Sequence, residues 1–325
     1  MPIDTNFSFD QPLAPSAAAG VPADLLGLLR GFVGNQPAKK PQRSWKGTGF
    51  NMIWRPNFGG ESGPKKHFLQ LNLTEETLEF TDITGQGIAN RGLLQKDIQL
   101  GGAAYIQSID DSFDKTGQHF EPGVWANVPN TVNPNEPDTV VRMGSIPHGT
   151  TINMQGTAFT VPGPPQFEVS SITPFKIGSV DDGKTDLKRF DAEQILSQPS
   201  LARTDLARVA SLTQDQLDNP NLFLSQAIAG QNIISTTVLV ITSDSKPPPP
   251  KVPDAGGGVD NIAFLAGTAG GPNANVPRVT STFWIERVKD ASGYEFDQLQ
   301  YTQRVLLDFS GLSWPHVTVA TLRAV

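Results

Sequence analysis

The chain has 325 residues, a formal net charge of −7, 18% charged residues, 31 glycines, 27 prolines and no cysteine. A chain of roughly 300 residues hides about three quarters of its unfolded surface, so a core can form here without covalent staples. The acidic balance and the lack of an arginine-rich run argue against a nucleic-acid partner. The missing cysteine removes disulfides, thiolate catalysis, iron–sulfur clusters and cysteine zinc sites.

Residues 1–44 read as an N-terminal arm carrying one short helix. The opening MPIDTNFSFDQPLAPSAAAG lacks the positive first region and continuous apolar core of a signal peptide. VPADLLGLLRGFVG (21–34) sets Leu25, Leu28, Leu29 and Phe32 at helical spacing, with Pro22 suited to a first turn. Such a helix is expected to lie on the body of the protein or to plug an opening, and NQPAKKPQRS links it onward. No apolar stretch approaches the roughly 20 residues of a membrane span, so the expectation is a soluble, cytoplasmic protein with no membrane partner.

Residues 45–325 read as one β domain. WKGTGFNMIWRP (45–56) alternates large and small residues, and HFLQLNLTEETLEFTDI (67–83) reads as two strands around a Thr-Glu-Glu-Thr turn. Further strands fit AAYIQSIDD (103–111), HFEPGVWANV (119–128), TVVRMGSI (139–146) and TTINMQGTA (150–158). Residues 180–231 break the pattern and read as a helical insertion. There TDLARVASLTQDQL is helical in character, and DNPNLFLSQAIAG offers Asn219 as N-cap, Pro220 in the first turn and Gly230 as the stop. Strands resume with NIISTTVLVITSD (232–244), NIAFLAGTA (261–269), VTSTFWIERVKD (279–290), QLQYTQRVLLDFS (298–310) and HVTVATLRAV (316–325). KPPPPKVPDAGGG between the first two is a stiff polyproline piece with a glycine hinge.

The expected fold is therefore all-β, an antiparallel, roughly ten-stranded closed β-barrel with a helical insertion, and an open β-sandwich is the competitor. Closure removes exposed edges, and a barrel of this strand number can enclose a ligand.

Motifs for metalloproteases, P-loops, nucleophile elbows and EF-hands are missing. GTGF (47–50) lacks the following helix that would receive a phosphate. The pairs Asp110-Asp111 and Asp181-Asp182 fall at turn-like positions. Histidine is then the rare versatile type, with four in the chain. His67 follows Lys65 and Lys66 and is expected to be exposed. His119 shares a strand face with Glu121 by period two. His148 sits in a tight bend between Pro147 and Gly149. In the last strand His316, Thr318, Ala320 and Leu322 share one face, and Val317, Val319, Thr321 and Arg323 the other. A strand histidine needs only a hydrogen-bond partner to be satisfied, so these positions do not by themselves define a site.

Three stretches together resemble the nitrobindins, a calycin-like family, and the larger bacterial heme-binding β-barrel proteins. WKGTGFN resembles their Trp-x-Gly-x-Gly opening strand. HFEPGVW followed by VRMGSIPHGTTINMQG resembles their mid-barrel pair and bend. LQYTQRVLLDF followed by HVTVATLR resembles their final hairpin, in which a histidine with an arginine seven residues on binds heme iron. The resemblance covers about a third of the chain. It implies heme b as cofactor, His316 as iron ligand, and His148 as the distal catalytic group, where nitrobindins commonly have threonine. His119 matches a family histidine at the cofactor site. Arg55, Arg142 and Arg323 are candidate propionate partners, although each also reads as an exterior strand residue.

The implied activity is on peroxide, NO or peroxynitrite, as a peroxidase or peroxynitrite isomerase, with a homodimer left open. Two rivals stand beside it. One is a lipocalin-like carrier of a hydrophobic small molecule without catalysis. The other is a cofactor-free enzyme using His148 or His119 with Glu121 as acid and base.

Overall fold

The computed structural model describes residues 21–34, 42–61, 63–85, 88–133, 135–179, 195–244 and 257–325. Most of the expected N-terminal arm and linker, Asp181-Asp182 and nearly all of the polyproline segment lie outside the described residues. Ten long strands carry the architecture: β1 (Gln42–Pro56), β2 (His67–Asp82), β3 (Gly101–Asp111), β4 (Gly117–Val128) and β5 (Thr139–Ile146), then β6 (Thr150–Pro162), β7 (Asn232–Thr242), β8 (Asn275–Lys289), β9 (Glu295–Phe309) and β10 (Leu312–Ala324). Each pairs antiparallel with the next, including β6 with β7 across the insertion, and β10 pairs with β1. The result is a closed up-and-down barrel with no free edge in the ring.

Short segments add to it from outside. Val21–Pro22 and Gly258–Asn261 pair with β6, and Phe175–Lys176 pairs with the start of β10. Pro22 thus belongs to an edge pairing rather than a helical turn, and Asp24 caps the helix instead, accepting from Gly27 N at 2.9 Å. That helix, α1 (Leu25–Val33), buries Leu25, Leu29, Phe32 and Val33. Its Phe32 ring stacks on Phe80 at 4.9 Å and meets Trp45 and Trp125 edge-on. The expected plug is therefore present, at the end of the barrel where β1 and β3 begin.

Two expected elements differ. Thr74-Glu75-Glu76-Thr77 does not turn: β2 runs straight through it, with Glu76 turned inside to Tyr301 and Glu75 outside to Lys115. A mid-strand acid is accommodated because each carboxylate has a partner. NIAFLAGTA is a short strand ending at Asn261 and then a helical turn, Ala263–Ala266, with Gly267 as its cap.

The connection between β6 and β7 contains, among its described residues, two short 3₁₀ turns and two helices, α2 (Gln214–Asp218) and α3 (Asn221–Ala227). Thr213 and Gln216 form a capping box for α2, while Pro220 occupies the cap of α3 where Asn219 was expected. This layer packs on the outer wall of β1, β2 and β10. Alternation along β10 divides its side chains: Ala320 and Leu322 join the inner core, Val317 and Val319 the outer one. Among the described residues, no helix is long and apolar enough to cross a membrane.

Candidate functional site

The up-and-down order decides where the histidines meet. Odd strands end and even strands begin at the barrel end opposite the α1 plug. His67 opens β2, His119 lies near the start of β4, His148 is in the β5–β6 turn and His316 is early in β10. All four therefore stand at one end.

A two-residue turn sets the position of His316. Ser310 and Gly311 both have positive φ, 51° and 78°, as a tight primed hairpin requires. That turn registers His316 opposite Val305 on β9 and beside Ile53 on β1. Its side chain enters the interior together with Thr318. His316 Nε2 lies 2.6 Å from Asn51 Oδ1, which also accepts from Thr318 Oγ1 at 2.9 Å. An amide oxygen only accepts, so Nε2 carries the proton. Among the described residues Nδ1 has no hydrogen-bond partner. Burial, then the proximity of His119 and His148, holds the His316 imidazole neutral down to about pH 3. The ring is part-buried and keeps some accessible surface.

His119 and His148 stand near it, their ring centroids 5.9 Å apart. His119 Nε2 is 3.1 Å from Glu121 Oε2. His148 is exposed and bonds the Gln118 backbone; desolvation, then His119 and Arg55, lower its affinity for a proton. His67 does not join them. It is half-buried between Trp54 and Trp314, with the Trp314 ring at 4.4 Å, so the expected exposed residue is part of an aromatic cluster.

Behind the histidines lies a polar band that the sequence did not announce. Arg142, 2% exposed and read in the sequence as an exterior residue, points inward instead. Its Nη2 donates to Glu121 Oε1 at 2.7 Å and to Gln107 Oε1 at 3.2 Å; its Nη1 donates to Gln303 at 2.7 Å and its Nε to the Tyr105 hydroxyl at 3.0 Å. Tyr105 donates to Glu121. Burial opposes ionisation of Glu121, but Arg142, His119 and Tyr105 carry its carboxyl down to about 2. Farther in, Tyr301 donates to Glu76 at 2.7 Å and accepts from Gln107 at 3.0 Å. Glu76 has no cation, and burial raises it to about 7. The available signal was the face Val140, Arg142, Gly144, Ile146, one arginine and one glycine among apolar neighbours. The glycine makes room for the network, since a Cβ at Gly144 would lie 2.5 Å from Glu121 Oε1 and 2.6 Å from the Tyr105 oxygen and would displace one of them.

Of the three arginines named for the rim, Arg55 stands at the histidine end, and Arg142 lies behind it, joined to His119 through Glu121. Arg55 is exposed, and its guanidinium and that of Arg203 both lie over the Phe68 ring, at 5.8 and 5.1 Å. Burial and repulsion from Arg203 lower its hold on its proton. Arg323 points outward toward the plugged end, over Phe296. Among the described residues no group of three or more His, Cys, Asp or Glu is arranged to hold a metal ion.

No family model matches the chain, and no curated protein matches it. A solved structure described as the crystal structure of Rv2717c from M. tuberculosis is similar to it at 12% identity, covering 93% of this chain and 97% of that one, with a TM-score of 0.37. A likeness of that size carries no argument about kinship or activity.

Proposed function

We propose that the histidine end of the barrel binds heme b through His316 and that the loaded protein acts on peroxide or on a reactive nitrogen species such as NO or peroxynitrite. One observation carries the reading. His316 is a neutral, part-buried imidazole whose Nε2–H is anchored on Asn51 and whose other nitrogen has no hydrogen-bond partner among the described residues. Metal-ligating histidines have this form, with one nitrogen for the metal and the other held by an acceptor that fixes ring and tautomer. A lone imidazole without a cluster of further protein ligands suits a metal whose other donors come from a macrocycle.

The surroundings support the same reading. Ile146, Ile152, Val279 and Val305 of the inner core make an apolar wall. Arg55 and Arg203, which repel each other, would be relieved by carboxylates at the rim. Bound heme would supply an iron centre able to bind and activate a small oxygen or nitrogen ligand. The chain itself would orient the His316 imidazole through Asn51 and Thr318 and present His119 and His148 as polar groups at the same end.

The test is an absorbance spectrum of the full chain titrated with hemin, before and after dithionite. The expected result is a sharp Soret band that shifts on reduction and is lost or strongly altered in His316→Ala. A chain that takes up no heme, or a His316→Ala variant with an unchanged spectrum, overturns the assignment. A heme-free chain that binds apolar dyes would favour a carrier instead.

A further inference from the structure

Read from the sequence, the catalytic role at this end falls to His148, and in a cofactor-free enzyme to His148 or His119 with Glu121 as acid and base. The geometry points to His119 of the two, and gives Glu121 behind it a different part. We propose that Glu121 is a positioning residue that holds His119 with Nε2–H toward the carboxylate, leaving Nδ1 as the proton acceptor for an acidic ligand at the histidine end. The proposal rests on the reading that a ligand binds beside His316.

Glu121 is 0% exposed and three side chains hold its carboxylate. Oε1 accepts from Arg142 Nη2 at 2.7 Å and from the Tyr105 hydroxyl, and Oε2 faces His119 Nε2 at 3.1 Å. An ionised carboxylate only accepts hydrogen bonds, so the nitrogen it faces must be the N–H. The carboxylate stays ionised because the Arg142 guanidinium is fixed against it, itself enclosed by the rings of Tyr105, Trp125 and Phe283 at 5.3, 5.5 and 5.8 Å. Gly144 leaves the room in which this group sits. The carboxylate therefore has one orientation, and it imposes one tautomer on His119.

The second nitrogen of His119 has no hydrogen-bond partner among the described residues. It is a free lone pair at the end where His148 and His316 also stand. When a ligand H–X arrives, the H–X bond breaks, the proton goes to Nδ1, and X⁻ remains to bind. The imidazolium so formed keeps its Nε2–H on Glu121, so the new positive charge lies against a buried carboxylate rather than in bulk water. His148 lacks this support. It is exposed, anchored only on a neutral backbone group, and disfavoured as a cation by His119 and Arg55.

The chain has four histidines, so the ring nitrogens of ¹⁵N-histidine-labelled full-length protein can be assigned with His119→Gln as the reference. A long-range ¹H–¹⁵N spectrum of the heme-free chain is expected to show His119 as a single tautomer protonated at Nε2, and Glu121→Gln is expected to turn it into a mixture. A proton on Nδ1 in the parent chain, or an unchanged pattern in Glu121→Gln, overturns the proposal. Should Glu121→Gln fail to fold with Arg142 left unpaired, Glu121→Gln/Arg142→Gln removes both charges and is read in the same way.

The second measurement uses the hemin-loaded chain. Cyanide, which must lose its proton to bind, should associate ~10-fold or more slowly in His119→Gln and Glu121→Gln, while imidazole, which binds without losing one, associates at the parent rate. Equal slowing of both ligands, or of neither, overturns the proposal. If the chain takes up no heme, the heme reading fails and the tautomer measurement alone decides this one.

Discussion

The barrel wall separates two cores built from the same strands, and they solve burial differently. Inside, aromatic side chains surround a guanidinium, two carboxylates and a set of amides, all hydrogen-bonded. Outside, between the wall and the insertion, the packing is chiefly apolar, with Trp54, Leu69, Leu71, Leu217, Leu224, Val317 and Val319 in one cluster. Two buried carboxylates lie on that side: Glu286, with one amide donor, Gln298 at 2.6 Å, and an oxygen without a hydrogen-bond partner, and Asp308, which accepts from Ser313 at 2.6 Å. An interior that was only structural would be more stable with apolar groups in place of ions. The inner core buries an ion pair, Arg142 with Glu121, next to the histidine end; the outer core buries single carboxylates held by amide or hydroxyl donors. The comparison teaches that the buried ion pair is concentrated beside the candidate site.

The contrast can be broken most severely at Arg142. Arg142→Met should cost ~3–5 kcal/mol in denaturant unfolding because Glu121 is left charged and buried, and Arg142→Met/Glu121→Gln should recover most of it. A fully stable single variant would mean that the ion pair is not buried as described. On the outer side, Leu217→Ala should cost about 3 kcal/mol by cavity formation, and within the same transition as the barrel. Two separate transitions would show that the insertion unfolds on its own.

Acidity compares the two cores directly. Burial raises both Glu76 inside and Glu286 outside to about 7. Each then holds a proton in the folded chain that the unfolded chain releases above about pH 4.5. Their contribution to stability is full below that pH and is lost as pH rises through about 7. Glu76→Gln and Glu286→Gln should each flatten the stability profile there and stabilise at pH 8 by on the order of 1–3 kcal/mol. His316 has the opposite sign: its folded value near 3 lies below the unfolded one, so its contribution is present above about pH 6.5 and lost as pH falls toward 3. Unchanged profiles in the two glutamine variants would place both carboxylates in water. The smallest effect belongs to the plug, where Asp24→Ala should remove ~1 kcal/mol by uncapping α1.

Much of the barrel was legible in the sequence because its turns are marked by proline, glycine and asparagine and its strands by alternation; TVVRMGSI is a strand at the expected bounds, Thr139–Ile146. What was lost has physical causes. Thr-Glu-Glu-Thr imitates a turn because acids are poor strand formers in water, and the tyrosine that welcomes Glu76 lies 225 residues away. NIAFLAGTA imitates a strand because an apolar run does not reveal whether it continues a sheet or turns beneath one. His67 looks exposed beside two lysines until Trp314 folds over it. The three nominated histidines, by contrast, do come to one end, since an up-and-down order fixes which strand ends coincide. Arg142 was misplaced because a charge on a strand is read as facing water unless its partner, 21 residues earlier, is already known to face inward.

The hydrogen bond between His316 and Asn51 spans 265 residues and crosses the β10–β1 pairing that shuts the ring. The candidate site therefore lies on the seam of the barrel. During synthesis β1 emerges early and must wait, one edge unpaired, until β10 has been made, and such late long-range pairing is slow to form. An incomplete chain would have neither a closed wall nor a working histidine. The candidate site and the closed ring would thus form in one event.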